Sequence, residues 1–227
     1  MRPTLCGAVM TRLRSFPPAS STKMGAGCMS SLVYALAETA RPGVYGASRA
    51  EGPGLELLEL RPATMLQLGA WPDTKGALEA ILSDHLKLEV PVTPGQAAVS
   101  PEGTLMVMAP GRYLLVSDNG DITQSLLEKI AVETGVLTDL SHARAGIRIS
   151  GRNAADVLLK GVVIDLDIRA FTVGSVAQSS FHHVGLTLHR KDETTFDLFV
   201  FRGFAVSFWE ALTDAALEYG YEVMTPA

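Results

Sequence analysis

The stretch TDLSHARAGIRISG, residues 138–151, alternates its side chains with the period of two that is typical of a half-buried β-strand. We therefore predict one long strand from Val136 to Ser150 with a bend at Gly146. Successive side chains of a strand point to opposite faces, so Ile147 and Ile149 share one face. The opposite face carries the more polar set: Leu140, His142, Arg144 and Arg148.

Arginine side chains on one strand face can hold a carboxylate or a phosphate through charge-assisted hydrogen bonds. Arg144 and Arg148 therefore have three interpretations that stay open: a solvated face or an ion pair with a neighbour, contact with a protein partner, or binding of a small anion. A serine triad at Asp139, Ser141 and His142 is not predicted, because the alternation places the imidazole on the face opposite the hydroxyl.

Outside this stretch, each half of the chain has the order strand, helix, strand, strand, helix. Hairpins mixed with helices favour an α+β fold with antiparallel sheet over a doubly wound parallel sheet. We expect residues 1–54 to be a disordered or loop-like extension, residues 55–134 a first α+β lobe, and residues 135–227 a second. The other predicted elements are strands at 55–60, 105–108, 113–116, 176–189 and 196–201, and helices at 75–86, 122–133, 153–159 and 204–218.

The strand predicted at 196–201 is apolar on both faces, which indicates burial on both sides. The final helix has an apolar stripe wide enough to include Trp209. Two interpretations remain open: both surfaces are buried within this chain, or a partner protein covers surplus apolar area. For the second, the candidate contact residues are three aromatic side chains and two polar anchors: Phe199, Phe201, Trp209, Arg144 and Arg148.

The composition narrows the class of protein. Of the 227 residues, 47% are hydrophobic and the mean hydropathy is +0.22, which suffices for a core and excludes a disordered chain. The net charge of −5 gives no general attraction to nucleic acid or to an anionic membrane surface. No apolar run reaches the roughly 18 residues of a transmembrane helix. We therefore predict no nucleic-acid partner and no membrane partner.

Residues 1–28 hold both cysteines, Cys6 and Cys28, and several basic residues without an acidic one. This composition is similar to that of a transit peptide. The simpler hypothesis is a disordered tail or a start codon assigned too early, with Met29 as the true start. Two cysteines are too few for a disulfide framework or a cysteine-based zinc site, and a body without cysteine is compatible with the cytoplasm, where we expect the protein.

The sequence has no motif that would hold a dinucleotide. It has neither a G-x-G-x-x-G turn after a strand nor a G-x-x-x-x-G-K-[ST] loop. His182 and His183 are adjacent and would point to opposite faces, while His183 and His189 are too widely spaced along a strand for one metal ion. We expect no cofactor, no metal and no catalytic side chain on this chain.

From residue 55 onward the chain resembles the gamma subunit family of heterotetrameric sarcosine oxidase. The resemblance rests mainly on TDLSHARAGIRISG at 138–151 and on the order of shorter motifs around it. These are LRP at 60–62, GAWP at 69–72, PGRYLL at 110–115, LLKG at 158–161, IDL at 164–166 and SFWEAL at 207–212. The stretch at 138–151, together with the helix start at Asn153, is also similar to the folate-binding T-protein of glycine cleavage.

The resemblance implies a two-lobed α+β body like the front part of the T-protein fold, without its C-terminal barrel. It also implies a non-catalytic subunit that assembles with alpha, beta and delta chains. In that family the partner chains hold FAD, FMN, NAD and tetrahydrofolate, and the enzyme oxidises sarcosine to glycine, hydrogen peroxide and formaldehyde or methylene-tetrahydrofolate. Two alternatives stay open: a stand-alone folate-binding one-carbon transfer or repair protein, and the gamma subunit of a related N-methyl amine dehydrogenase.

Overall fold

The computed structural model describes residues 33–47 and 50–226, which arrange two β-sheets face to face between two pairs of helices. The α+β class and the predominantly antiparallel pairing that the sequence predicts are confirmed. The hypotheses about residues 1–28, including the two cysteines and the start at Met29, lie outside the described residues.

The larger sheet has seven strands in the described part of the chain, in the order β1-β12-β2-β8-β11-β10-β9. All neighbours are antiparallel except β12 and β2, which run parallel. Two helices, α3 (Ala154–Leu159) and α4 (Ala205–Ala216), cover its outer face. Its strands are β1 (Gly43–Tyr45), β2 (Leu55–Leu60), β8 (Arg144–Ser150), β9 (Val176–Phe181), β10 (Val184–Arg190), β11 (Thr195–Phe201) and β12 (Tyr221–Val223).

The smaller sheet has five strands among the described residues, in the antiparallel order β4-β5-β6-β3-β7. Helices α1 (Lys75–Leu86) and α2 (Ile122–Lys129) cover its outer face. Its strands are β3 (Thr64–Ala70), β4 (Ala97–Ser100), β5 (Gly103–Ala109), β6 (Arg112–Ser117) and β7 (Gly135–Asp139).

Several local predictions are confirmed because their signals are strong. Helix α1 has the predicted bounds, since leucines four residues apart form a buried stripe and Lys87 ends the helix in a left-handed conformation with φ 54°. The predicted hairpin forms between β5 and β6, where Gly111 takes the positive φ of 70° that the tight connection requires. Strand β2 also has the predicted bounds.

The long strand predicted from Val136 to Ser150 is wrong. A turn at residues 140–143 divides it into β7 and β8, which belong to different sheets. The turn is stabilised by Asp139, whose carboxylate accepts hydrogen bonds from the backbone N–H and the hydroxyl of Ser141 at 2.8 and 2.6 Å. Gly146 lies inside β8 rather than at a bend.

The strand predicted at 176–189 is likewise two strands, β9 and β10, joined by a tight turn at which His182 has a φ of 51°. The predicted lobe boundary at Gly135 also differs from the division between the sheets. Strand β2, from the first half, lies in the larger sheet, whereas β7, from the second half, lies in the smaller one.

Residues 33–47 depart from the predicted loop-like extension. Leu36 is fully buried, and its backbone N–H donates a hydrogen bond to Glu59 Oε1 at 2.9 Å. Strand β1 pairs with β12 at the edge of the larger sheet. This segment folds onto the body because Glu59, itself buried on β2, gives the backbone of the incoming chain a hydrogen-bond acceptor.

Candidate functional site: the clefts between the two sheets

The seam between the sheets is an apolar layer around Phe199 of β11. The ring is 1% exposed and packs among three side chains of the smaller sheet, Met65, Met106 and Leu114. Phe199 thus faces the other sheet of the same chain. The proposal that it contacts a partner is corrected by this burial, and burial on both sides is the interpretation that applies.

Trp209 is also removed from the surface. It is 4% exposed and lies in the core between α4 and the larger sheet, together with Phe208 and Leu212. Phe201 differs, because it ends β11 beyond the seam and is 53% exposed. Of the three aromatic contact candidates, only Phe201 offers its ring to another molecule.

The seam opens into a cleft of about 550 Å³ at the end where Arg148 lies, which we call the Arg148 cleft. Arg148 and Asp197 are cross-strand neighbours on β8 and β11. The guanidinium donates two hydrogen bonds to the carboxylate, Nε to Oδ1 at 2.6 Å and Nη2 to Oδ2 at 2.9 Å. Because the Asp197 carboxylate accepts these hydrogen bonds, the pKa of Arg148 is raised. The ion-pair interpretation therefore applies to Arg148, and its charge is already balanced.

His189 lies beside this pair, opposite Asp197 in the register of β10 and β11. It is buried, and its Nδ1 has no hydrogen-bond partner among the described residues. Burial lowers the pKa of His189, and this effect exceeds the opposing attraction of Asp197. The imidazole is therefore neutral near pH 7 and functions as part of the packed interior.

The seam opens again at its other end, in a smaller cleft of about 110 Å³ that we call the Arg144 cleft. Arg144 begins β8, and its guanidinium lies 4.6 Å from the centre of the Phe201 ring. Its Nε is buried without a hydrogen-bond partner in the described part of the chain. Burial lowers the pKa of Arg144. The residues that line it come from four further strands: Gln67, Met108, Arg112, Tyr113, Leu114 and Gln178.

A broader groove of about 610 Å³ adjoins the Arg144 cleft and shares Gln67 and Arg112 with it. Its lining comes from β3, β6 and β7 and from the segments 71–75 and 110–111. Two apolar side chains remain exposed along it, Val136 at 47% and Trp71 at 46%. The Trp71 indole is held in place, since its Nε1 donates a hydrogen bond to the carbonyl of Val132 at 2.8 Å. The groove is thus a preformed apolar surface with a basic margin.

Asp139, Ser141 and His142 do not form a catalytic group. The Ser141 hydroxyl donates to Asp139 and accepts a hydrogen bond from the backbone N–H of Met65 at 2.9 Å, so it is used in the turn. The hydrogen bonds from Ser141 lower the pKa of Asp139. Within residues 33–47 and 50–226, no group of three or more histidine, cysteine or acidic side chains could hold a metal ion. No helix in those ranges is long and apolar enough to cross a membrane.

Three residues of these clefts are not predicted from the sequence. Asp197 carries a detectable signal, since it is the one charge in an otherwise apolar strand. Arg112 and Gln67 carry none, because they reach the Arg144 cleft only through the pairing of β3 with β6.

Comparison with known proteins places the chain among named relatives. The family model described as "Sarcosine oxidase, gamma subunit family" matches residues 72–218. The chain is 28% identical to sarcosine oxidase subunit gamma of Corynebacterium sp. (strain P-1) over 170 residues, which cover 74% of this chain and 83% of the relative. It is 30% identical to the Arthrobacter sp. subunit of the same name over 139 residues, which cover 60% of this chain and 68% of the relative.

Two solved structures are similar in fold. A chain of the heterotetrameric sarcosine oxidase from Corynebacterium sp. U-96 matches with a TM-score of 0.68 and 26% identity, covering 77% of this chain and 88% of that one. The glycine cleavage aminomethyltransferase T of Bartonella henselae matches with a TM-score of 0.52 and 17% identity, covering 71% of this chain and 46% of that one. The second match shows the fold alone and agrees with the likeness to the T-protein. Because the family match extends over more than half of the sequence, this chain belongs to the sarcosine oxidase gamma subunit family.

Proposed function

We propose that this chain is the gamma subunit of a heterotetrameric sarcosine oxidase and that it contributes an assembly surface rather than a catalytic side chain. The single observation that carries the proposal is the match to a chain of the Corynebacterium heterotetramer over most of both chains. The exposed groove beside the Arg144 cleft supports it, since preformed apolar surface with arginine at its margin is typical of protein interfaces.

In this proposal, the alpha, beta and delta chains hold FAD, FMN, NAD and tetrahydrofolate. The described residues give no support for a dinucleotide site on this chain. Pyrophosphate binding uses a helix that begins directly after a parallel strand, whereas the single parallel pair among the described residues, β12 with β2, has no such crossover. The complex would oxidise sarcosine in the cytoplasm to glycine, hydrogen peroxide and formaldehyde or methylene-tetrahydrofolate.

The test is assembly. We would express this chain with and without alpha, beta and delta chains and measure the mass of the purified species. Co-elution of this chain with flavin absorbance and sarcosine oxidation is the expected result. An isolated 24.2 kDa chain that oxidised sarcosine, or that bound a reduced folate saturably at micromolar concentration, would overturn the proposal. Oxidation of another N-methylated amine in place of sarcosine would assign the subunit to a related dehydrogenase.

A further inference from the structure

The Arg144 cleft contains a guanidinium whose charge is not balanced by any described residue. None of the carboxylates in the described ranges lies within ion-pair distance of Arg144, and its buried Nε–H is unpaired. The guanidinium lies over the ring of Phe201, and none of its N–H donors forms a hydrogen bond with a described residue. A buried donor without an acceptor is costly, so a site of this kind favours an incoming acceptor.

Arg148 shows what is missing at Arg144. The two arginines lie on the same face of β8, four residues apart, and each has a cross-strand neighbour on β11. The neighbour of Arg148 is Asp197, which accepts two hydrogen bonds from it. The neighbour of Arg144 is Phe201, which has no acceptor. A carboxylate that completed the second pair would therefore have to come from outside the described residues.

The other polar side chains of the cleft are suited to an anion. Arg112 lines it from β6 and forms no ion pair with the described residues, and the amides of Gln67 and Gln178 add hydrogen-bond donors. None of the described residues that line the cleft is acidic. Two unbalanced arginines in a chain with a net charge of −5 form a local positive site, and they point to a carboxylate.

The size and the surroundings of the cleft favour a carboxylate attached to a protein. Its volume of about 110 Å³, against about 550 and 610 Å³ for the Arg148 cleft and the adjoining groove, suits one acidic side chain rather than a larger ligand. Exposed apolar side chains lie near it, since Phe201 contacts Arg144 and Val136 lines the adjoining groove. A free anion would leave this apolar rim in water, whereas a protein partner would cover it.

We infer that the Arg144 cleft receives the side chain of an aspartate or glutamate from a partner subunit, which pairs with Arg144 and Arg112. The inference rests on the proposed function, because it assumes that the chain is assembled with other subunits. The partner's acid takes the place at Arg144 that Asp197 occupies at Arg148, and the groove beside the cleft packs on the apolar residues that flank the acid.

The first test measures binding of this chain to the remaining subunits. Arg144→Gln removes the charge and keeps much of the side-chain length, and we expect it to raise the dissociation constant by about 30-fold or more, as for the loss of one partner from a buried interfacial ion pair. Arg112→Gln should weaken binding less, because this side chain is more exposed. Arg169→Gln is the matched control, since Arg169 is exposed and pairs with Asp167 of its own loop. The weakening caused by added salt should be smaller for the Arg144 variant than for the control.

The second test identifies the acid. Arg144→Lys places a primary amine in the cleft, and a carbodiimide joins an amine to a carboxylate within reach: the amide bond forms, and the carbodiimide takes up the elements of water and leaves as a urea. Peptide mapping of the assembled complex should find a new cross-link from position 144 to an acidic residue of a partner subunit. The same substitution at Arg169 should give no cross-link to another subunit.

The outcomes separate the inference from the proposed function. A wild-type chain that does not assemble with the flavin-bearing chains overturns the proposed function. A wild-type chain that assembles, with an Arg144→Gln variant that binds equally tightly, overturns the inference alone. The inference is also overturned if acetate stabilises the isolated chain through Arg144 while Arg144→Gln leaves assembly unchanged, because the cleft would then serve a free anion. If Arg144→Gln does not fold, the cross-link of Arg144→Lys and the affinity of Arg112→Gln decide the matter.

Discussion

Phe199 lies directly opposite Gly146 in the register of β11 and β8, and its ring occupies the space beside the missing side chain. A Cβ atom on Gly146 would lie 2.9 Å from Leu60 Cβ and 3.4 Å from Phe199 Cε1. The glycine thus leaves space for the aromatic ring, which packs on Met65, Met106 and Leu114 of the smaller sheet. This pair holds the two sheets together at the centre of the seam.

We expect Phe199→Ala to lower the free energy of unfolding by about 3–5 kcal/mol, because it leaves a large cavity between the sheets. Phe201→Ala should change it by less than about 1 kcal/mol, since that ring is largely in solvent. Urea denaturation of the isolated chain measures both. If the two variants were equally stable, Phe199 would not be the centre of the seam.

Gly161 and Gly76 give a paired test of packing. A Cβ on Gly161 would lie 2.7 Å from two atoms of the Phe181 ring, so Gly161→Ala should destabilise the protein by about 1–3 kcal/mol. A Cβ on Gly76, in α1, would meet no atom within 4 Å. Gly76→Ala should therefore stabilise the chain by about 0.5–1 kcal/mol through helix propensity. Thermal melting of both variants tests the opposite signs.

The ion pair between Arg148 and Asp197 should be sensitive to the loss of one partner. Asp197→Asn leaves a half-buried guanidinium without its counter-charge and should cost about 2–4 kcal/mol, between the values for exposed and buried pairs. Replacing both residues, as in Arg148→Met with Asp197→Leu, should cost less than the sum of the single changes. A double-mutant cycle on unfolding free energies measures the difference, and additive effects would contradict the coupling.

His189 should make the protein less stable in mild acid. Its pKa in the folded chain is below the ordinary value of 6.5, whereas in the unfolded chain it takes a proton near that value. As the pH falls below about 6.5, the unfolded state binds the proton first, so the free energy of unfolding falls by up to about 1.4 kcal/mol per pH unit until the folded pKa is reached. His189→Gln should reduce this slope between pH 7 and pH 5.

His85 is the control for that experiment. Burial also lowers its pKa, but the side chain is far less buried and its Nε2 lies 2.9 Å from the Ser125 hydroxyl. His85→Gln should change the slope less than His189→Gln does. Equal slopes in the wild-type chain and the His189 variant would show that the buried imidazole does not govern acid stability. Urea titrations at a series of pH values provide the measurement.

The sequence predicts the elements whose signals are local, but it does not predict the two turns that divide the long strands expected at 136–150 and 176–189. Leucines four residues apart in α1 and the Pro110–Gly111 turn are readable because each depends on neighbours along the chain. The turn at 140–143 is not, because the alternation of the stretch continues across it and the break depends on the side chain of Asp139. The turn at His182 is also not predictable, because neither glycine nor proline marks it.

For the site residues, the sequence likewise predicts what depends on neighbours along the chain, but not what depends on pairing with a distant strand. Alternation correctly places Arg144 and Arg148 on one face of β8, away from the buried Ile147 and Ile149. It does not show that one arginine has an acid opposite and the other does not, since that depends on the register with a strand about fifty residues away. Phe199 and Phe201 share a face of β11 in the sequence. Phe199 is interior because the smaller sheet covers it, whereas Phe201 lies beyond that cover and is exposed.

Strand β12 lies between β1 and β2, although it is the last strand along the described chain and they are the first two. During synthesis from the amino end, β1 and β2 therefore lack their common neighbour until strands β3 to β11 and then β12 have been translated. Until then, β2 presents an unpaired edge that another copy of the nascent protein could join. Prompt pairing of residues 221–223 with β2 therefore protects the protein from aggregation.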